Sequence, residues 1–428
     1  MSVTSVAVPS QNTPGAVVAA PPLRVSFSWT LGGNVVYAAC QFGMLSVLAK
    51  LGSPSIVGQF ALGLAITAPV FMLTNLQLRG VQATDARNEY GFADYFTLRL
   101  LSTLMGTLII VLITAVATYD ASTKMVILLV AAAKGIETIA DVIAGHLQKF
   151  ERLDQVARAL MIRGAASVTT FTAVFWLTRD LIAAVGALAL TWIAVIASYD
   201  LRVISRLLGE HPQFFRFSFG TLKSLLSVSW PLGVVMTLAS LNINIPRYIL
   251  EQKLGTAELG IFASLAYLLT AINLIVIALG QSVCTRMARL FADCEIQRFK
   301  ALLGKLILFA GVLGMVALGA ALIIGRPVLT LVYRPEYAEH VDLLLLMVVD
   351  ATLVAIATFV GFGMTAARCF NPQMSIMAGT AVTTVAFTLA LIPRFGLMGA
   401  GYGLLIASFV RATAGYVVLE SAMKRQSA

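Results

Sequence analysis

Three charged residues lie close together within one long apolar run of the sequence: Lys134, Glu137 and Asp141. Their separations of three and seven residues place them on one face of a helix. A charge at the centre of a membrane-spanning helix costs about 2.5–3.5 kcal/mol on insertion scales, so such residues usually face a protein interior or a water-filled cavity. Two interpretations stay open. The residues form either a self-neutralising structural cluster or a cavity wall, on which Lys134 binds a phosphate while Glu137 and Asp141 are candidates for ion coupling.

A second polar group lies in the other half of the chain, where Asn242, Asn244 and Arg247 surround Pro246. Proline inside a spanning helix frees a backbone carbonyl and bends the helix. If Arg247 faces a cavity, its planar guanidinium suits a pyrophosphate. Alternatively, Arg247 extends to the outer membrane interface and binds nothing.

Further polar residues lie inside apolar runs. Asp350 is the best single candidate for ion coupling, and an ion pair with Arg411 is the alternative. Asn34 and Gln41, seven residues apart, share a helix face and either bind sugar hydroxyls or hydrogen-bond neighbouring helices. The candidate substrate-binding residues are therefore Lys134, Arg247, Asn242, Asn244, Asn34 and Gln41.

A charged segment between the second and third apolar runs contains Arg79, Asp85, Arg87 and Arg99. These side chains could guide an anionic lipid headgroup from the cytoplasmic leaflet. A loop that only sets the membrane orientation is the alternative.

The sequence has no motif of an enzyme, metal site or cofactor site. It lacks a glycine-rich nucleotide loop, HExxH and GxSxG. The three histidines and four cysteines show no metal-ligand spacing. We therefore predict a protein that is not an enzyme and has no catalytic residue, metal or cofactor.

Apolar helices must position these polar residues. Of 428 residues, 59% are hydrophobic and 12% charged, and the mean hydropathy is +0.89, which excludes a soluble globular protein. A helix of about 20 apolar residues spans a bilayer. Runs of this kind predict twelve spans, at residues 24–48, 57–78, 99–118, 125–147, 159–177, 181–199, 225–250, 259–283, 302–324, 341–364, 374–392 and 397–419. The net charge of +10 lies mostly in short loops between spans and reflects membrane topology rather than nucleic-acid binding.

The two halves of the chain resemble each other at an offset of about 200 residues. SFSWTLGG at residues 26–33 recurs as SVSWPLGV at 227–234, and GQFA at 58–61 recurs as GIFA at 260–263. A repeat of this length predicts an all-α membrane protein of two six-helix lobes, related by a pseudo-two-fold axis along the membrane normal. Trp29 should then overlie Trp230.

The predicted organisation has five parts. They are a disordered cytoplasmic tail (1–23), an N-terminal lobe (24–200), a cytoplasmic linker with a candidate interfacial helix (201–223), a C-terminal lobe (224–420) and a cytoplasmic tail (421–428). Twenty Lys and Arg residues, among them Arg99 and Arg163, fall on one side of the spans and eight on the other. Because basic residues accumulate in cytoplasmic loops, both termini are predicted to be cytoplasmic.

Three segments carry a resemblance to a known family: residues 28–86, beginning SWTLGGNVVYAACQF; residues 133–160, AKGIETIADVIAGHLQKFERLDQVARAL; and residues 254–268, LGTAELGIFASLAYL. From about residue 24 to 419 the chain resembles bacterial polysaccharide and O-antigen flippases of the multidrug/oligosaccharidyl-lipid/polysaccharide exporter superfamily. The resemblance implies two lobes that rock around a central cavity. It also implies export of undecaprenyl-pyrophosphate-linked sugar repeat units across the bacterial plasma (inner) membrane.

The resemblance implies a lipid-linked oligosaccharide and membrane lipids as partners, and a polysaccharide polymerase with its chain-length machinery as further ones. Two alternatives stay open. One is a multidrug–cation antiporter of the same superfamily. The more distant one is an integral-membrane glycan polymerase or ligase, which would usually need a larger external loop than the segment near residues 325–340.

Overall fold

Helices make up nearly all of the chain. A computed structural model describes residues 23–85, 88–209 and 213–427, and no β-strand occurs within these ranges. The helices are α1 (Leu23–Leu51), α2 (Pro54–Asn75), α3 (Leu78–Thr84), α4 (Phe92–Val116), α5 (Ala121–Lys149), α6 (Leu153–Thr178), α7 (Leu181–Val195), α8 (Leu201–Leu208), α9 (Phe219–Leu254), α10 (Thr256–Leu268), α11 (Thr270–Ala292), α12 (Ile296–Val332), α13 (Pro335–Ala338), α14 (Val341–Ala366), α15 (Phe370–Phe395) and α16 (Leu397–Ser427). A π-helical turn, Ile196–Asp200, joins α7 to α8. Apart from Leu23, the predicted N-terminal tail lies outside the described residues.

The length and composition of the helices define an all-α membrane protein, which confirms the predicted fold class. Eleven helical segments of the described chain are long and apolar enough to cross a bilayer. The 29-residue α5 is a twelfth long helix, and its charged residues Lys134, Glu137 and Asp141 distinguish it from the other eleven.

Three of the differences from the sequence prediction have a local cause. α4 begins at Phe92 rather than near Arg99, because Asp94 accepts a hydrogen bond from the Gly91 amide (2.9 Å) and caps the helix early. The predicted span 259–283 is divided into α10 and α11 at Leu269, whose amide bonds to the Ala266 carbonyl in a tighter three-residue turn. α12 continues past Pro327, because membrane helices tolerate proline where neighbours satisfy the freed carbonyl.

The two halves of the chain repeat one packing arrangement. In the first half, α1 packs on α6, α4 packs on α5, and both α5 and α6 pack on α7. In the second half, α9 packs on α15, α12 packs on α14, and both α14 and α15 pack on α16. The helices therefore form two lobes. The lobe boundaries and the superposition of Trp29 on Trp230 stay predictions.

The lobes cross at the two glycines of the repeated G-x-F-A sequence. A Cβ atom on Gly58 of α2 would collide with the carbonyl of Thr256, and one on Gly260 of α10 would collide with the carbonyl of Pro54. Pro54 and Thr256 each lie four residues before the glycine of their own helix, so the two repeats make the same contact with each other. Small residues let membrane helices approach this closely, and the reciprocity is that of a two-fold arrangement.

Candidate functional site between the lobes

Lys134 and Glu137 of α5 form the charged centre of the candidate site. The Lys134 Nζ donates to Glu137 Oε2 at 2.7 Å, and the Tyr37 hydroxyl of α1 donates to Glu137 Oε1 at 2.7 Å. The Lys134 Nζ also lies 5.6 Å from the ring centroid of the buried Trp192, within the range of a cation–π attraction. The Lys134 and Glu137 side chains remain 34% and 26% exposed. The pair is thus neutralised but accessible to a ligand.

A buried ion pair lies beside this centre. An Arg163 guanidinium nitrogen donates to Asp200 at 2.7 Å, and both side chains are almost fully buried. Asp200 ends the π-helical turn, a kind of irregularity that is frequent at functional sites. Arg163 is close enough to Tyr37 and Glu137 to interact electrostatically with both. Arg163 is therefore part of a buried network on α6.

Arg247 of α9 approaches the same region from the other lobe. Its guanidinium donates to Asn244 Oδ1 at 3.1 Å, and the Asn244 amide donates to the Ser240 carbonyl at 2.9 Å. No carboxylate in the described part of the chain forms an ion pair with Arg247. Tyr267, near the end of α10, is close enough to interact electrostatically with both Arg247 and Lys134. Two cations, Lys134 of α5 and Arg247 of α9, thus lie within electrostatic range of the same tyrosine.

Asp141 does not join Lys134 and Glu137, although the helix spacing predicts one shared face. It accepts from Arg79 at 3.4 Å and from Arg99 at 3.3 Å. Asp141 lies seven residues after Lys134 on α5, which places it about 10 Å nearer the predicted cytoplasmic end than Lys134. The three charges expected on one helix face therefore form two groups. Lys134 and Glu137 belong to the candidate site, and Asp141 forms a separate cluster with the two arginines.

The charged segment between α2 and α4 is held against the protein by side-chain contacts. Arg99 lies in α4 with no exposed surface, so its placement in a loop was wrong. Asp85 accepts from the Glu89 and Tyr90 amides and from the Lys149 ammonium. Burial raises the pKa of Asp85, but these donors outweigh it and hold the pKa below its usual value. Arg87 lies outside the described residues.

The other predicted site residues lie at separate positions. Asp350 has one buried carboxylate oxygen without a hydrogen bond, and among the described ion pairs none joins it to Arg411. Asn242 donates to the Met377 carbonyl at 3.2 Å, while its oxygen is buried without a partner. Asn34 is exposed and donates to Thr30 of its own helix, and Gln41 lies one helical turn after Tyr37 on α1.

Neither the apolar cavity found elsewhere nor the potential metal ligands of the described ranges form an alternative candidate site. A cavity of about 460 Å³ between α12, α14 and α16 is lined by apolar side chains such as Met315, Val349 and Phe409, and by Thr352. It contains none of the predicted site residues. Within the described ranges, no group of three or more His, Cys, Asp and Glu side chains could hold a metal ion.

Solved structures with this fold are transporters. The chain is similar to a structure entitled an inward-facing conformation of a multidrug resistance MATE family transporter of the MOP superfamily, with 13% identity, a TM-score of 0.74 and coverage of 93% of this chain and 100% of that one. For an outward-facing conformation the identity is 13%, the TM-score is 0.59 and the coverage is 94% and 95%. The chain therefore has the two-lobed fold of these transporters.

Sequence comparison gives the family. The chain belongs to the family described as "Polysaccharide biosynthesis protein", which it matches over residues 23–291. It is also 28% identical over 385 residues to the capsular polysaccharide biosynthesis protein CapF of Staphylococcus aureus, with coverage of 90% of this chain and 96% of that protein.

Proposed function

We propose that this protein is a flippase that moves oligosaccharide repeat units, linked to undecaprenyl pyrophosphate, to the outer face of the bacterial plasma membrane. The observation that carries the proposal is Arg247, a half-buried cation of α9 that bonds to the neutral Asn244 side chain and forms no ion pair with a carboxylate in the described ranges. Arg247 and Lys134 both act electrostatically on Tyr267, so a pyrophosphate near this tyrosine would be attracted by both cations. Both termini are then cytoplasmic, and a polymerase with its chain-length machinery would consume the exported unit outside.

The two cations differ in how they would bind a diphosphate. Arg247 has only the neutral Asn244 side chain as a hydrogen-bond acceptor, and its planar fork can bind phosphate oxygens in pairs. Lys134 is already bonded to Glu137, so an arriving phosphate must compete with this carboxylate. Competition keeps the affinity modest, which suits a carrier that has to release its substrate. Asn34, Gln41 and Asn242 are the candidate ligands for sugar hydroxyls.

Alternating access is supported by contacts that close one end of the lobe interface. The Lys50 ammonium donates to the carbonyls of Thr330 and Leu331 at the end of α12, at 2.9 and 3.1 Å. Arg334 donates to the Gly52 carbonyl just after α1, at 2.8 Å. Each lobe thus supplies a cation to the carbonyl end of a helix in the other, where positive charge is favoured. These five residues, which we call the outer gate, lie at the end predicted to be external.

Further contacts support the outer gate. The hydroxyls of Ser55 in α2 and Thr256 in α10 share a hydrogen bond of 3.0 Å. Tyr333 and Tyr337 are fully buried with ring centroids 5.2 Å apart, and the Tyr333 hydroxyl donates to the Ser264 carbonyl at 2.9 Å. Transport in this proposal requires the contacts between the lobes, made by Lys50, Arg334 and the Ser55–Thr256 pair, to break when the protein opens outward.

Asp350 and Glu137 are the carboxylates that we propose for ion coupling. The unbonded oxygen of Asp350 leaves a buried position for a proton or cation, and protonation of Glu137 would release Lys134 for a phosphate. Asp141, the third predicted candidate, is held by two arginines. We propose that this cluster ties α5 to α3 and α4 at the cytoplasmic end.

The two alternatives fit the site less well. A multidrug–cation antiporter shares the fold, but its cationic substrates would meet Arg247, which has no carboxylate partner in the described ranges. A glycan polymerase or ligase would need external catalytic groups. Much of the segment at 325–340 is instead helical, in α12 and α13, and its tyrosines are buried in the outer gate.

Deletion of the gene tests the function directly. Lipid-linked repeat units should accumulate facing the cytoplasm, while their synthesis continues. Normal delivery to the outer face, or absence of the units, would contradict the proposal. A deletion strain that becomes drug-sensitive but keeps its surface polysaccharide would favour the antiporter.

Complementation of the deletion tests the site. Lys134→Ala and Arg247→Ala should each reduce export in protein that is inserted and abundant, and Lys134→Arg should retain more activity than Lys134→Ala. Lys253→Ala removes an exposed cation from the end of α9 and is the matched control, expected to export normally. Normal export by both site variants would show that these cations are structural.

A further inference from the structure

Three phenylalanines project from the segment that connects the lobes. Phe215, Phe217 and Phe219 are 67%, 75% and 74% exposed. They alternate along the approach to α9, where Ser218 has an extended backbone, and residues two apart in an extended chain point to the same side. Contact of three such rings with water is unfavourable, so this surface requires a cover.

The segment is fixed in place by contacts with α4, one of which Phe215 itself makes, with its ring 5.5 Å from that of Phe96 and the rest of its side chain exposed. The Phe214 ring lies 6.0 Å from the ring of Phe92 and 5.9 Å from that of Phe96, at the start of α4. The Arg216 amide donates to Thr97 Oγ1 at 3.1 Å. The exposed rings therefore have a defined position relative to the N-terminal lobe.

Exposed basic side chains precede and follow the rings along the linker. Arg202 and Arg206 are exposed on α8, which buries Ile204 against the protein, and Arg216 and Lys223 are also exposed. Against these four cations, the sequence of residues 201–223 contains one acidic residue, Glu210. The patch formed by Phe215, Phe217, Phe219, Arg202, Arg206, Arg216 and Lys223 thus combines apolar and cationic groups; we call it the linker patch.

The linker patch is continuous with an exposed apolar stretch of α9. This helix begins at Phe219, and further along it Val228 and Trp230 are 55% and 50% exposed. Aromatic residues are typical of the membrane interface where a span ends.

We propose that the linker patch binds anionic phospholipids of the cytoplasmic leaflet. The three rings enter the boundary between headgroups and acyl chains, and the four cations contact the lipid phosphates. Neither part of this binding requires the transported substrate. The lipid is a component of the membrane in which the lobes move, and it holds the linker at the surface.

Depth-dependent fluorescence tests the proposal on the full-length protein in nanodiscs. A probe is attached at Phe217→Cys in a variant whose four native cysteines are replaced by serine, and the matched control carries it at Glu151→Cys, an exposed turn position outside the patch. We expect headgroup-labelled quencher lipids to quench the probe at 217 strongly and the probe at 151 weakly. Phosphatidylglycerol quenchers should act more strongly at 217 than phosphatidylcholine quenchers at the same mole fraction.

Charge variants separate the two components of the linker patch. Each neutralised cation, as in Arg202→Gln or Arg206→Gln, should lower the preference for the anionic lipid by up to about fivefold, and added salt should act in the same direction. Equal quenching by both lipids at 217 would overturn the anionic preference. Quenching at 217 by aqueous iodide but not by lipid would overturn membrane contact, and protection from both would show that a protein covers the patch instead.

Discussion

Glu137 should compete with the transported anion for Lys134, and Glu137→Gln removes this competition. The variant keeps a side chain of the same shape, which can still accept a hydrogen bond from Tyr37. A hydrogen bond to a charged group contributes about 1.5–3 kcal/mol. Since both side chains of the pair are partly exposed, solvent screening lowers the contribution of the ion pair to about 1–2 kcal/mol. Removal of the competing charge should therefore tighten diphosphate binding roughly 5–30-fold.

Isothermal titration of the purified protein with geranyl diphosphate measures this affinity. Export in a complemented deletion strain should nevertheless fall, because a more tightly held substrate is released more slowly. Glu251→Gln neutralises a carboxylate that bonds to Tyr119 outside the site and is the control, with unchanged affinity. Equal or weaker binding by Glu137→Gln would refute the competition and leave Glu137 as a structural partner of Lys134.

Three further predictions follow from the fold. Oxidation of a Ser55→Cys, Thr256→Cys pair in the cysteine-free protein should lock the outer gate and stop export, and reduction should restore it; export by the oxidised, cross-linked protein would contradict the gate. Arg99→Ala should lower the free energy of unfolding by about 3–5 kcal/mol, because Asp141 then keeps Arg79 as its only ion-pair partner among the described residues. An unchanged melting temperature would exclude a stabilising role for Arg99. Reporter fusions after Tyr199 and after Lys424 should both report cytoplasm, and a periplasmic signal from either would refute the topology.

The sequence was sufficient for the helices and their duplication. Apolar runs of bilayer length and the repeated G-x-F-A segments depend on local composition, so they can be recognised without tertiary contacts. Helix ends were less predictable. Asp94, which the sequence places in a charged segment, caps the start of α4. α12 runs through Pro327, although a proline usually indicates a helix end.

The contacts of the candidate site depend on packing and could be predicted only in part. Helix spacing correctly paired Lys134 with Glu137, but it could not show that Asp141 turns toward Arg79 and Arg99, which come from other helices. The sequence did not identify Tyr37, Trp192 and Tyr267 as site residues, because an aromatic residue within an apolar run cannot be distinguished from a lipid-facing one by its type alone. A search for hydroxyl-bearing aromatics within spans would have drawn attention to Tyr37 and Tyr267.

The reciprocal crossing at Gly58 and Gly260 has the geometry of a homodimer interface within a single chain. In a dimer of identical halves, every substitution appears twice, and a ligand site on the symmetry axis must be the same from both sides. Covalent fusion removes this restriction. The repeat alignment places Leu238 opposite Tyr37, and Ser46 opposite Arg247. Each half could therefore specialise, which would suit the proposed cargo, because its two ends, a diphosphate and an oligosaccharide, differ in chemistry.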